Sequence, residues 1–219
     1  MTVDYTTLGD GPLLVCQPGG PGRHPSYLRD LGGLAATRTL LLVPPRRAPM
    51  PDLADDLAVL REQLGGEPFD LLAHSAGAVV AQVFARTHPV GRLVLVTPSG
   101  RLQGVSGEDV SRRETYGAWT EAARAHAATC DAEMDRIAER LFYDYDTVPD
   151  GEVTAETLVV AGGADRLTPV RAAEAVAASI PGARLVVLDG VGHYPWVEEP
   201  EAFAGIVERF LAGLPDSDG

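Results

Sequence analysis

Six short runs, apolar but for Asp70 and Thr157, constrain this chain most: 13-LLVC-16, 40-LLLV-43, 69-FDLLA-73, 93-LVLV-96, 157-TLVVA-161 and 185-LVVL-188. A strand with one face in water alternates apolar and polar residues. A run without alternation suits a strand buried on both faces, as in a parallel sheet covered by helices on each side. A seventh run, Val3 to Leu8, is more polar and is expected at a sheet edge.

Helical patterns lie between the runs. Leu53, Leu57, Leu60 and Leu64 repeat on one helix face behind Asp52 as N-cap. Thr168-Pro169 reads as N-cap and first residue of a helix through Ile180, stopped by Pro181-Gly182. Glu199 to Leu211 forms the last helix, and 215-PDSDG-219 reads as a frayed tail. Strand and helix alternate, so the expected class is α/β with a mainly parallel sheet, in one domain spanning residues 1–219.

Residues 101–150 break the rhythm. They hold no strand pattern, only polar loop and two helix-like stretches, Glu114–Ala128 and Asp131–Tyr143. Five of the chain's thirteen aromatic residues, Tyr116, Trp119, Phe142, Tyr143 and Tyr145, fall here. The segment is expected to form a small helical lid inserted in the domain. Tyr116, Trp119, Phe142 and Tyr143, with His24, are the candidate pocket walls. Packing of the aromatics onto the sheet is the competing role.

Composition excludes several classes of chemistry. The chain has no Lys, so Schiff-base catalysis and Lys-dependent phosphate loops are ruled out. A formal charge of −13 opposes binding to nucleic acid or anionic lipid. Cys16 and Cys130 lack metal-ligand spacing, and no His, Cys and carboxylate cluster has it either, so neither metal nor cofactor is expected. Cys16, in an apolar run, reads as a buried small hydrophobe. The N-terminus lacks a signal-peptide pattern and no apolar run is long enough for a membrane span, so a cytoplasmic location is expected. The expected partner is a small-molecule substrate. The sequence leaves the oligomeric state open.

The chemistry centres on 69-FDLLAHSAGAVVAQVFARTHP-89. An apolar strand ends at Ala73, a small-residue helix starts at Ala76, and Ser75 stands on the turn between them. A nucleophile there is exposed above the sheet at a helix N-terminus, and the turn needs small neighbours such as Ala73 and Gly77. Two more strand ends carry partners: Asp165 in 162-GGADRLTP-169 and His193 in 191-VGHYPWVEEP-200. Catalytic groups collect at the carboxyl ends of strands in open α/β sheets. His193 is thus the candidate base, Asp165 its orienting carboxylate and Ser75 the nucleophile. Helix capping by Ser75 or Asp165 and a structural His193 are the plainer alternatives, and Asp189 is the rival acid. His74, His88 and His126 read as structural.

These motifs, with 19-GGPG-22, 73-AHSAG-77 and 192-GHYPWVEEPEAF-203, resemble the α/β-hydrolase superfamily over almost the whole chain, and within it the proline iminopeptidase-like branch. The resemblance implies an oxyanion hole built from the backbone N–H groups of Gly20 and Ala76. The chain also departs from the branch. Pro18 replaces a loop His, 44-PPRRAPMPD-52 replaces a Gly-rich segment, and the cap is shorter. Ala76 stands where aminopeptidases of the branch carry Trp. Only Glu133, Glu139 or Asp144 remain as cap acids for a substrate amine.

The expected activity is that of a serine hydrolase cleaving small or medium carboxylic esters, thioesters, lactones or amides through an acyl-enzyme. The alternatives are a proline iminopeptidase-type aminopeptidase, a cofactor-free biosynthetic cyclase or acyltransferase, and a non-catalytic ligand-binding protein on the same fold.

Overall fold

A computed structural model describes residues 2–132 and 135–214. Strands β1 (Thr6–Leu8), β2 (Leu13–Gln17), β3 (Thr39–Leu42), β4 (Asp70–His74), β5 (Arg92–Val96), β6 (Glu156–Gly162) and β7 (Arg184–Leu188) form one sheet in the order β1-β3-β2-β4-β5-β6-β7. Only the β1–β3 pair is antiparallel; the other five pairs are parallel. The polar run at the N-terminus supplies the antiparallel edge, with its three residues exposed.

The unbroken apolar runs feed two cores at once. Leu71, Ala73, Leu93, Leu95, Val159 and Ala161 point to one face, where they meet helices α1 (Met50–Gln63), α2 (Gly77–Thr87) and α5 (Val170–Ala178). Leu72, Val94, Val96, Leu158 and Val160 point to the other, toward α7 (Pro200–Leu211) and an aromatic group around Tyr27, Tyr194 and Trp196. Because successive residues alternate faces, a strand covered on both sides must be apolar throughout. Helix α2 follows the same logic: every residue from Gly77 to Ala85 is buried.

Several helix boundaries differ from expectation. Helix α1 starts at Met50 with Pro49 as N-cap, so Asp52 lies inside the first turn, where it pairs with Arg46 at 3.8 Å. Pro51 sets the start by fixing its own φ and lacking an N–H. Helix α5 starts at Val170 after Pro169, and Thr168 does not cap it. Between β5 and β6 come a 3-10 turn at Arg112–Thr115, then α3 (Glu121–Ala132) and α4 (Arg136–Phe142). The expected helix at Glu114–Ala128 is therefore broken. Glu198 takes the N–H groups of Gly117 and Ala118 at 2.8 and 3.2 Å, and a Cβ at Gly117 would overlap the Gly190 carbonyl. Asp135 caps α4 by accepting from Ile137 and Ala138, which ends the expected continuity from Asp131. The last helical segment divides into a short α6 (Pro195–Glu198) and α7. The 215–219 tail and Glu133 lie outside the described residues. Among the described residues no helix is long and apolar enough to cross a membrane.

Candidate active site

The site is assembled at the carboxyl ends of β4, β6 and β7. Ser75 follows β4 directly and holds φ at +54°, a left-handed conformation rare for a side chain with a Cβ. Its backbone locks the turn. The Ser75 N–H donates to Val96 O at 2.9 Å, while Ser75 O accepts from Ala78 and Ser99, both at 3.1 Å. Small residues are required around it. A Cβ on Gly19 would overlap the His74 carbonyl and come 2.7 Å from Ser75 Cβ, and one on Gly77 would overlap the Pro18 carbonyl.

Asp165 and His193 are brought together from the ends of β6 and β7. Asp165 Oδ2 lies 2.7 Å from His193 Nδ1, and both side chains are buried. The carboxylate is fully engaged: Oδ1 accepts from the Leu167 and Thr168 N–H groups at 2.9 and 3.0 Å, and Oδ2 lies 2.7 Å from the Thr168 hydroxyl. Thr168 Oγ1 is also 3.1 Å from His193 Nδ1 and 3.0 Å from Thr97 O. The helix-cap role expected of Thr168 is replaced by this one. A carboxylate facing Nδ1 favours the tautomer with its proton there, leaving Nε2 as the basic nitrogen. The backbone of His193 is pinned on both sides: its N–H donates to Thr115 O at 2.7 Å, and its carbonyl accepts from Thr97 Oγ1 at 3.2 Å. Its ring centroid is 4.7 Å from that of His74, the residue before Ser75. Asp189, the rival acid, sits exposed in the turn after β7.

Gly20 and Ala76 both border a cleft of about 500 Å³ that also contains Ser75. Neither backbone N–H finds an acceptor among the described residues. Ala76 is the N-cap of α2, so its amide stands at the positive end of that helix. Two amides beside a strained serine form an arrangement able to bind an oxyanion.

Of the five side chains expected in the pocket wall, Tyr143 borders the cleft. The other four do not. His24 is exposed and caps the 3-10 turn Pro25–Leu28 through Ser26. Tyr116 is buried against Tyr194 and reaches His126 Nδ1 at 2.7 Å, with Trp119 packed edge-on to it. Phe142 joins the core on the α2 face of the sheet. Burial won over lining because these rings sit where α3, α4 and the Tyr116–Thr120 stretch need apolar anchors. The wall is instead mixed, with Pro21, Tyr143 and Leu167 beside the charged Arg23, Arg112, Glu108, Asp109 and Glu139. Of these charged residues only Glu139 was named from the sequence, as a cap acid, although Arg23 directly follows 19-GGPG-22 and so carried a signal. Of the candidate cap acids, Glu139 borders the cleft but is bound to Arg136 at 2.9 Å, and Asp144 is exposed away from it.

His74 and His126 lie behind the site in an aromatic group with Tyr27, Tyr194 and Trp196. Burial holds His74 well below the usual imidazole range and brings His126 down to about 4, so both are neutral. Cys16 and Cys130 are buried and not joined in a disulfide, and burial pushes the Cys16 thiol up. Among the described residues no three His, Cys, Asp or Glu side chains converge as a metal cage.

A family model described as "Alpha/beta hydrolase family" matches residues 13–206. Among curated proteins, the 2-hydroxymuconate semialdehyde hydrolase of Pseudomonas putida is 46% identical over 57 residues, 26% of this chain and 20% of the relative. The matched stretch thus spans only about a fifth of that relative's length. Among solved structures, a hydrolase from Pseudomonas aeruginosa is 25% identical with a TM-score of 0.73, covering 95% of this chain and 93% of that one. An esterase from Exiguobacterium antarcticum is 17% identical with a TM-score of 0.78, covering 96% and 95%; at that identity the likeness speaks for the fold alone.

Proposed function

The chain belongs to the alpha/beta hydrolase family, and from that premise we propose that it is a serine hydrolase cleaving small or medium carboxylic esters, thioesters, lactones or amides through an acyl-enzyme. The observation that carries this reading is the buried 2.7 Å Asp165–His193 pair, at the same carboxyl edge of the sheet as a serine held at φ +54°. The family's wide range of chemistries means that the site, not the fold, supports the assignment.

In this reading Ser75 Oγ attacks the scissile carbonyl carbon as its proton passes to His193 Nε2. The Gly20 and Ala76 N–H groups receive the charge that develops on the carbonyl oxygen. Removing one such donor typically costs about 10²–10³ in kcat. Asp165 steadies the imidazolium, which then protonates the leaving group. Water, deprotonated by the same nitrogen, attacks the acyl-enzyme; collapse of the second intermediate breaks the Ser75 ester bond and releases the acid.

The same motifs support placement near the proline iminopeptidase-like branch, with residues 101–150 as a reduced cap. The aminopeptidase activity of that branch is not proposed. A substrate ammonium needs a buried, uncommitted carboxylate, whereas among the described acids of the cleft Glu139 is bound to Arg136, Glu108 to Arg166, and Asp109 is exposed to solvent.

The test is Ser75→Ala. The variant is expected to keep its melting transition and to lose both nitrophenyl ester turnover and fluorophosphonate labelling. Labelling that persists in the variant would identify a different nucleophile and end the assignment.

A further inference from the structure

Arg23 stands out among the charged residues of the cleft. It is only 5% exposed. One guanidinium nitrogen donates to the Tyr194 hydroxyl at 3.0 Å, and the group lies over the Tyr27 ring at 5.3 Å. Its buried Nε–H has no acceptor among the described residues. Among the described residues no carboxylate comes within ion-pair distance of it. Buried charges are ordinarily paired, because desolvation is otherwise uncompensated. Tyr194 cannot be the counter-ion, since burial pushes its phenol up to about 12 and keeps it neutral.

Position gives the missing partner a place. Arg23 borders the same cleft as Ser75 and Ala76. A Cβ on Gly20 would lie 3.1 Å from the guanidinium carbon, so the cation sits alongside the loop assigned to the oxyanion. Arg112 borders the cleft too and donates to the same Tyr194 oxygen at 3.3 Å. An anion held at the cleft edge of the Arg23 guanidinium supplies the counter-charge that this buried group lacks.

Among the described residues the acids of the cleft do not fill this role. Glu108 is bound to Arg166 at 2.8 Å, Glu139 to Arg136, and Asp109 is exposed at the rim. The chain's charge of −13 repels anions at a distance. Salt limits that field to about 8 Å at physiological ionic strength.

We propose that Arg23 is an anion subsite of the Ser75 cleft, and that the substrate is an ester, thioester or amide bearing a carboxylate a few bonds from the scissile carbonyl. A carboxylate matches the guanidinium fork and takes two parallel N–H bonds. The substrate class rests on the serine hydrolase reading; the anion subsite is tested separately from it.

Two substrate pairs provide the test. One sets 4-nitrophenyl hemiglutarate against 4-nitrophenyl valerate, with the charge on the acyl side. The other sets 4-acetoxybenzoate against its methyl ester, with the charge on the leaving group. In at least one pair the anionic member is expected to show the higher kcat/KM by about tenfold, typical of one charge-assisted contact. In Arg23→Gln that ratio falls to near one, and Arg23→Lys recovers part of it. A ratio taken within one protein is insensitive to loss of folded enzyme. Ratios near one in both pairs, or ratios unaltered in Arg23→Gln, overturn the proposal. Binding is read without turnover by calorimetry of monomethyl glutarate and methyl 4-acetoxybenzoate's parent acid on Ser75→Ala, with and without Arg23→Gln. Weakening of at least one carboxylate by about tenfold supports the subsite, and equal binding of both overturns it. Neutral-ester turnover with Ser75 labelling but no anion preference removes the subsite and leaves the hydrolase. Carboxylate binding that depends on Arg23 without any labelling does the reverse.

Discussion

Tyr27 and His74 are joined by a 2.8 Å hydrogen bond whose direction is set by their neighbours. The Gly19 N–H donates to the Tyr27 oxygen at 2.6 Å, so the phenol proton goes to His74 Nδ1. His74 must then carry its own proton on Nε2, which donates to the His193 carbonyl at 3.1 Å. One directed chain thus runs from the glycine loop, through two buried rings, to the backbone of the proposed base. It requires a neutral His74, in keeping with the effect of burial on that ring.

Tyr27→Phe is expected to leave the Gly19 N–H and His74 Nδ1 without partners, at a cost of about 1–3 kcal/mol in urea unfolding. Ester kcat should fall more than KM rises, since the base and oxyanion loop lose their tie while the cleft wall stays. A stability change under about 0.5 kcal/mol would remove the chain's structural role.

Asp165→Asn is expected to lower kcat by about 10⁴, because the amide no longer selects the tautomer with Nε2 basic. Thr168→Val removes one hydroxyl donor to the carboxylate and should cost about tenfold, near 1.4 kcal/mol. Steady-state kinetics of both variants check the order. Equal losses would mean that Thr168, not the carboxylate alone, sets the His193 geometry.

Acid should destabilise the fold through His126. Its Nε2 lies 2.8 Å from the Tyr27 carbonyl and its Nδ1 2.7 Å from the Tyr116 hydroxyl, in a fully buried setting. Its folded pKa is about 4, against 6.5 for a free imidazole. The unfolded chain therefore binds a proton that the folded one refuses between those values, so this contribution is lost as pH falls from 6.5 to 4. The window corresponds to about 3 kcal/mol. Urea unfolding at pH 7 and 4.5, compared with His126→Gln, reads the difference. The variant should lose less stability between the two pH values; identical pH slopes would clear His126.

Pro-nitroanilide should be cleaved at least about tenfold more slowly in kcat/KM than a short-chain nitrophenyl ester, a barrier difference of about 1.4 kcal/mol. Ala-nitroanilide is run beside it to separate leaving-group chemistry from recognition. Cleavage of the Pro substrate much faster than the Ala one, at a rate comparable to the ester, would restore the aminopeptidase reading.

Much of this molecule was written locally. The six apolar runs each became a parallel strand, the inner ones because a segment buried on two faces leaves few positions for a polar side chain, and β7 half-buried at the sheet edge. Ser75, Asp165 and His193 were legible for the same local reason: each stands within a few residues of a strand end, where the backbone leaves the sheet and side chains face a common edge. What the cleft is made of was decided elsewhere. Tyr116 and Phe142 read as pocket walls yet went into the core, since apolar rings gain more from burial than from lining water-filled space. Thr168 read as a helix cap because its neighbours in sequence are helical. Only the folded chain brings Thr97, Asp165 and His193 around its hydroxyl. Arg23 lies 171 positions from Tyr194 and 89 from Arg112. No local pattern encodes such a meeting, because periodicity records which face a residue takes and not which distant charges share it.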